Sequence, residues 1–321
     1  MADTIDAFIA DVQDPKLLKV MVALLDAIKD IAARLRTAST ETLPASFNDF
    51  GDEQLAIDIM ADGIIFSKLK ESGCCAVASS EESPAELPQG GEGYSVAFDP
   101  LDGSSIIDTN FAVGTICGIW PGGTLIGVRG SDMAASIVAQ YGPRVCVTIA
   151  LKDRDGAHEF TLNGDDWLRS NTFTEVSEGK LFAPGNLRCT QDAPGYRKLV
   201  DYWLENKYSL RYSGGMVPDV MQLLTKRKGI FVAPSSPSAP AKLRLLYEVM
   251  PMAMLVEKGG GSSSDGKESI MDRVTLSTED RTQVALGSAK EVKRFEEMVG
   301  YAESYLVVSK DDPNWRPDQT R

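Results

Sequence analysis

A chain of 321 residues is long enough for one large domain or two ordinary ones, and 43% apolar with 25% charged residues supplies a normal globular core. A formal net charge of −13 repels phosphate backbones and anionic lipid surfaces, which argues against nucleic-acid and membrane partners. An acidic protein still binds a phosphorylated small molecule where metal ions and a few local Lys or Arg residues reverse the field.

The opening MADTIDAFIADVQDPKLLKV has neither the basic and apolar parts of a secretory signal nor the acid-poor character of a transit peptide, and no stretch approaches a membrane span. Five cysteines, Cys74, Cys75, Cys117, Cys146 and Cys189, are odd in number and lack metal-ligand spacing, so a reduced, cytoplasmic setting is expected. Leu17, Met21, Leu24, Ile28, Ile31 and Leu35 recur every three or four positions and predict an amphipathic helix. A second helical pattern runs over 52–69, with acids in its first turn. Residues 76–80 read as a strand that delivers Glu81 and Glu82 at its end, 83–93 as a loop, and 94–98 as a strand.

Beyond the run DPLDGSS, 113–120 and 124–128 predict a hairpin around Pro121-Gly122-Gly123. Residues 133–141 predict a helix, and 145–151 and 158–162 strands. From Lys180 on, helices at 196–205, 216–225, 245–258 and 292–299 alternate with strand character, as at 229–232. The pattern is α/β: mixed sheets layered with helices. There is no internal repeat, and a boundary near residue 180 separates 1–180 from 181–321 within one functional unit, its site at the interface.

Four acidic clusters carry the chemistry. In FDPLDGSS, a Pro-bearing turn after a strand aims Asp99, the Leu101 carbonyl and Asp102 at one point, which suits Mg²⁺; the adjoining Gly103, Ser104 and Ser105 offer N–H groups and hydroxyls to a phosphate. Glu81-Glu82 is the second cluster, Asp52 with Asp58 the third, and Glu248 the fourth, in KLRLLYE beside Lys242 and Arg244. Two or more Mg²⁺ ions would polarise a phosphoryl group and activate a water. Charged pairs are usually solvated surface, and an acid opening a helix is usually a cap. DPLDGSS stands apart, because a turn accounts for Pro, Gly and Ser but not for two spaced aspartates. The sole histidine, His158, argues against His-dependent nucleophiles and His-bound zinc and reads as a surface or satisfied loop residue. Gly259-Gly260-Gly261 lacks the companions of a nucleotide loop and reads as a turn.

Taken in order, GDEQLAID, SSEE, FDPLDGSS, GTICGIWPG, LRYSGGMVPD and KLRLLYE resemble the fructose-1,6-bisphosphatase family, from about Leu17 to about Glu297. The resemblance implies a layered αβαβα fold with two mixed sheets sandwiched by helices, a homodimer or homotetramer, and Mg²⁺-dependent hydrolysis of a sugar 1-phosphate, Mn²⁺ being a possible substitute. It implies a metal shell of Glu81, Glu82, Asp99, Leu101 (carbonyl), Asp102 and Glu248. Glu82 and Asp58 would handle the proton of the attacking water, with Asp52 assisting. Gly103, Ser104 and Arg244 would hold the departing phosphate; Asn186, Arg211, Tyr212, Gly215, Met216 and Lys242 would hold the sugar and distal phosphate, with Arg211 reaching toward a neighbouring subunit.

DGSSIIDTNF, GDEQLA, APGNLR and RYSGGMVPD are closer to the sedoheptulose-1,7-bisphosphatase branch, which makes a seven-carbon bisphosphate the expected substrate. Fructose or dual specificity is the alternative; an inositol-monophosphatase-like enzyme or a catalytically silent sugar-phosphate sensor is more distant. Ala233 and Cys189 stand where the fructose enzymes place tyrosines, a loss of two hydroxyls that leaves room for a longer sugar. Glu41 and Ser46 stand where plant relatives carry a regulatory cysteine pair, and Gly93 where the fructose enzymes carry an AMP-binding Lys, so neither control is expected.

Overall fold

Local capping starts the first two helices. α1 (Ile5–Ile9) opens at Thr4, whose hydroxyl accepts from the Ala7 N–H. α2 (Pro15–Leu35) opens at Asp14, whose Oδ1 accepts from the N–H groups of Lys16 (2.8 Å) and Leu17 (3.4 Å), with Pro15 where its missing N–H is harmless. The predicted apolar stripe of α2 is buried from Leu17 to Ile31, and Leu35 is half-buried. The computed structural model describes residues 3–37, 46–47, 53–54 and 56–301, the two short stretches by backbone alone. β1 (Ser46–Phe47) and β2 (Glu53–Gln54) pair antiparallel. Part of the predicted helix over 52–69 is thus strand; α3 (Ala56–Ser72) starts later, and Asp58 is the acid of its first turn. Asp52 and Glu41 lie outside the described residues.

β3 (Cys75–Ser80), β4 (Leu87–Pro88), β5 (Tyr94–Asp102), β6 (Val113–Pro121), β7 (Ala135–Tyr141), β8 (Val145–Leu151), β9 (Ala157–Asn163) and β10 (Asp166–Phe173) form one sheet, ordered β10-β9-β8-β7-β6-β5-β3-β4. Only β3 and β5 run parallel in it. Then follow β11 (Ser177–Pro184), α4 (Pro194–Glu205), β12 (Ser209–Leu210), α5 (Met216–Lys226), β13 (Lys228–Ala233), α6 (Met250–Lys258), β14 (Ser262–Ser264), β15 (Val284–Gly287) and α7 (Ala289–Met298). Their strands form a second sheet, ordered β12-β11-β13-β15-β14, with β11 parallel to β12 and β13.

Side-chain alternation sorts these elements into layers. Val96, Phe98, Cys117, Ile119, Val147 and Ile149 face α2 and α3 on one side of the first sheet. Ala97, Ile116, Val138 and Ala150 face the other way, onto α5 and α6. The same middle layer receives Leu181, Ala183, Phe231, Val284 and Leu286 from the second sheet. Phe182, Ile230, Val232 and Ala285 point outward to α4 and α7. The result is the expected αβαβα stack. Among the described residues no helix is long and apolar enough to cross a membrane, and all five cysteines are free and buried.

Two sequence expectations fail here. The segment 133–141 is not a helix: β7 occupies 135–141, and because both faces of the sheet are covered by helices, it shows no polar alternation that would mark it as a strand. Residues 124–128 do not complete a hairpin either. β6 pairs with β5 and β7 instead, and the Gly122 N–H closes onto the Gly93 carbonyl (2.8 Å), which continues the β5 pairing past Pro121.

Candidate active site

The parallel pair β3 and β5 places two acidic clusters side by side. Ser79 lies opposite Ala97 and Ser80 opposite Phe98, so Glu81 and Glu82 leave β3 where Asp99 occurs in β5; the Glu81 N–H donates to the Phe98 carbonyl (3.1 Å). Asp99 and Asp102, three residues apart, would point to opposite faces of a regular strand. The pairing with β6 shows why they do not. Asp99 is opposite Ile116 and Asp102 opposite Gly114, so β5 carries one extra residue, and this bulge returns Asp102 to the face of Asp99. The strand predicted to stop at Phe98 therefore includes the DPLD run. A Cβ on Gly114 would lie 2.6 Å from the Ala139 carbonyl oxygen and from Val217, so glycine lets α5 approach the bulge.

Glu248 arrives from the middle layer on a single π-helical turn, Leu245–Val249, that leads into α6; such turns recur at functional sites. The Arg244 N–H donates to Glu248 Oε2 (2.6 Å), and the Tyr247 hydroxyl shares a 2.7 Å bond with Ser79 on β3. Carboxylate oxygens of Glu81, Asp99 and Glu248 all lie within 4.8 Å of one another. The Arg244 side chain, buried like Asp99 and Glu248, places Nε 3.8 Å from Glu81.

Two like charges at such a separation repel by about 3–4 kcal/mol at an effective dielectric constant near 20. Burial and then the charge of Glu81 hold Asp99 and Glu248 well above the ordinary carboxylate range. Burial also raises Asp102, to about 7, against the opposing pull of the Val217 and Met216 N–H groups. Donors that are all oxygen, mostly carboxylate, and mutually repulsive fit a hard divalent cation.

Asp102 has a structural task. α5 has no cap from its own chain neighbours, and Asp102 supplies one: Oδ1 accepts from Met216 N (2.9 Å) and Oδ2 from Val217 N (2.7 Å). Asp219, in the first turn of α5 and fully buried, accepts from Ser213 N (2.7 and 3.0 Å) and Gly214 N (3.2 Å). It thereby fixes the RYSGG loop, in which Gly214 adopts φ +106°. Asp219→Asn puts an amide NH₂ among these donors and is expected to raise the substrate KM about tenfold, with a loss of about 1–3 kcal/mol in stability. Steady-state kinetics and thermal unfolding check both, and an unchanged KM would remove the loop-fixing role.

Asp102 and Glu248 reach a cavity of about 260 Å³ that is also lined by Asn186, Tyr212, Gly215, Met216 and Lys242, all expected from the sequence. Asn186 is partly committed: its Nδ2 donates to the Pro234 and Ala239 carbonyls (2.9 Å each) and to Cys189 Sγ (3.0 Å). The Met216 N–H is likewise taken by Asp102. Arg211 does not line the cavity; it is exposed, with Nη1 on the Leu210 carbonyl (3.0 Å). Gly103, at φ +88°, precedes the short 3₁₀ turn Ser104–Thr109, where Ser105 is exposed. Asp58 is buried. His158 is neither a loop nor a surface residue. It lies buried on β9, with Nδ1 2.7 Å from Arg169 Nη1 and Nε2 3.0 Å from the Asp155 carbonyl, apart from the cavity.

Three residues escaped the sequence reading: Asp219, Arg188 on the cavity wall, and Asp62. Asp62 follows Asp58 by one helical turn, accepts from Ser83 Oγ (3.4 Å) and bonds the Ser80 side chain, beneath the turn that carries Glu81 and Glu82. Its Oδ1 is buried with no hydrogen-bond partner among the described residues, and burial pushes the carboxyl up to about 6. A folded value above the ordinary 3.8 means no penalty below about pH 4, a growing one between the two values, and the whole of it above about pH 6: about 2–3 kcal/mol. Asp62→Asn is therefore expected to raise the melting temperature of chelator-treated protein near pH 8 and to leave it unchanged near pH 4. An equal shift at both pH values would contradict the assignment.

The five layers and the carboxylate cluster beside the cavity define an α/β protein whose site fits a hard cation. The sequence profile described as fructose-1-6-bisphosphatase, N-terminal domain, matches residues 6–171, and that of the C-terminal domain matches 176–300. The chloroplastic sedoheptulose-1,7-bisphosphatase of Triticum aestivum is 50% identical over 314 residues, 96% of this chain and 79% of that protein. A class 1 fructose-1,6-bisphosphatase of Citrifermentans bemidjiense is 38% identical over 283 residues, 86% of this chain and 85% of that protein. The holo crystal structure of Leishmania major fructose-1,6-bisphosphatase superposes with a TM-score of 0.85 at 28% identity, covering 93% of this chain and 99% of that one. The chain belongs to the fructose-1,6-bisphosphatase family.

Proposed function

We propose that this enzyme hydrolyses the 1-phosphate of sedoheptulose 1,7-bisphosphate, giving sedoheptulose 7-phosphate and phosphate, with Mg²⁺ as its metal. Family membership makes it a phosphoric monoester hydrolase of sugar bisphosphates. The observation that carries the reading is the convergence of Glu81, Asp99 and Glu248 beside buried Arg244 and a cavity shared by Asp102 and Lys242. The named activity of the wheat relative supports the seven-carbon choice.

Glu81, Asp99, Glu248, Asp102, Glu82 and the Leu101 carbonyl would hold the metal, two or more ions at full loading. When bound, the metal supplies Lewis-acid polarisation of the phosphoryl group and a charge that favours deprotonation of water. Arg244 and the turn at Gly103, Ser104 and Ser105 hold the departing phosphate. Glu82 and Asp58 accept the proton of the attacking water, assisted by Asp52. Lys242, Tyr212, Asn186 and the Gly215-Met216 backbone orient the sugar and its distal phosphate, and Arg211 serves the cavity of an adjoining subunit in a homodimer or homotetramer. The lobes 1–180 and 181–321 meet at this site. The protein works in the cytoplasm, without AMP inhibition.

Phosphate release from sedoheptulose 1,7- and fructose 1,6-bisphosphate tests the substrate. The expected result is a kcat/KM at least about tenfold higher for the seven-carbon sugar. Equal values would establish dual specificity, and a clear preference for the six-carbon sugar would overturn the proposal.

A further inference from the structure

We infer that Arg188 completes the distal-phosphate subsite, acting with Lys242 as a two-cation clamp; the inference rests on the bisphosphatase reading above. Arg188 and Lys242 are the two basic residues that line the cavity. Neither forms an ion pair with a described acid. In a chain of net charge −13, two exposed cations at one cavity, neither engaged by a described acid, offer an anion positive charge where Asp102, Asp219 and Glu248 would otherwise repel it.

The backbone couples the two. β11 and β13 run parallel, so the loops that follow Pro184 and Ala233 leave the same end of the second sheet. Asn186, at φ +47°, opens the 3₁₀ turn Leu187–Gln191 that carries Arg188. Its Nδ2 bonds to the Pro234 and Ala239 carbonyls latch that turn to the loop leading to Lys242. The Cys189 N–H closes back on the Asn186 carbonyl (3.0 Å), and Cys189 itself is buried against the same loop. A turn held at both ends fixes the base of Arg188 while its long stem stays exposed.

Nearby, Ala233 offers the cavity only a methyl group, so charge carries a larger share of phosphate recognition. A guanidinium fork binds a phosphate through two N–H groups where an ammonium acts as a point charge, and the two together can hold a dianion. The distal phosphate takes no part in bond breaking, so losing a contact to it weakens substrate and transition state alike.

Arg188→Gln keeps a polar, hydrogen-bonding side chain but shortens it and removes the charge, and Arg188→Lys restores charge without the fork. For Arg188→Gln, KM and the inhibition constant of sedoheptulose 7-phosphate are expected to rise about 10–100-fold. The same variant should keep kcat within about threefold and the melting temperature unchanged. Arg188→Lys should recover part of the loss, and Arg197→Gln on α4, a control for net charge, should match wild type. Unchanged KM and inhibition constant, or a fall in kcat equal to the rise in KM, would overturn the inference. Fructose 1,6-bisphosphate and fructose 6-phosphate are measured in parallel. If wild type prefers the six-carbon pair, the substrate reading fails, while the Arg188 effect on that pair still decides the clamp.

Discussion

Asp99→Asn is expected to lower kcat by about 10³-fold or more, about 4 kcal/mol in the barrier, and at the same time to raise the melting temperature of the metal-free protein. Both directions come from one arrangement. Asp99 is 4% exposed, held above the ordinary carboxylate range by burial and by the charge of Glu81, so stability is lost as rising pH strips its proton. Asparagine preserves the Oδ1 that accepts from Leu101 N (2.9 Å) while removing the titrating group. The gain should accordingly grow in chelator as pH rises above the ordinary carboxylate value of 3.8. In Mg²⁺ the order reverses, because wild type draws stability from the cation and the variant cannot. Wild-type turnover, or an unaltered response to Mg²⁺, would dismiss Asp99 from the metal shell.

Metal removal should be equally severe. Chelation is expected to abolish phosphate release, and Mg²⁺ to restore it and raise the melting temperature, by about 2.7 kcal/mol of stabilisation at a hundredfold excess over Kd. Asp99, Asp102 and Glu248 all have raised proton affinity, with Asp102 at about 7, so Mg²⁺ competes with protons for the same oxygens. Binding near neutral pH should release protons and tighten as pH rises. Calorimetric titration in two buffers of different ionisation enthalpy measures that release. Absence of both proton release and thermal shift would show that the carboxylates do not bind Mg²⁺.

Much of this site was legible because turn chemistry and charge are local. Pro100, Gly103 and the serines announced a turn, and a turn alone did not account for the two aspartates within it. The apolar spacing of α2 and the helices of the second half were equally plain. What escaped depends on partners distant in sequence. β7 resembles a helix because burial on both faces erases alternation, and 124–128 resembles the second arm of a hairpin because a Pro-Gly-Gly turn says nothing of β5 as the competing partner. Asp219 and Asp62 look like ordinary helical acids until the Ser213–Gly214 N–H groups and the Ser80–Ser83 turn close on them. Arg188 is a single loop arginine whose meaning comes from Lys242, more than fifty positions away. Arg211 showed the opposite: conspicuous in the sequence, it lies off the cavity of its own chain.

The bulge in β5 makes this site a matter of counting as much as of composition. Three steps from Asp99 to Asp102 are matched against two from Ile116 to Gly114. Adding one residue to the second span would restore regular pleating over three steps and send Asp102 to the α2–α3 side of the sheet, while the list of amino acids at the site stayed almost the same. Asp102 also caps α5, so the same slip would strip the helix that fills the space between the two sheets of its anchor. The spacing of Asp99 and Asp102 along β5 is thus as much a part of the site as the two side chains themselves.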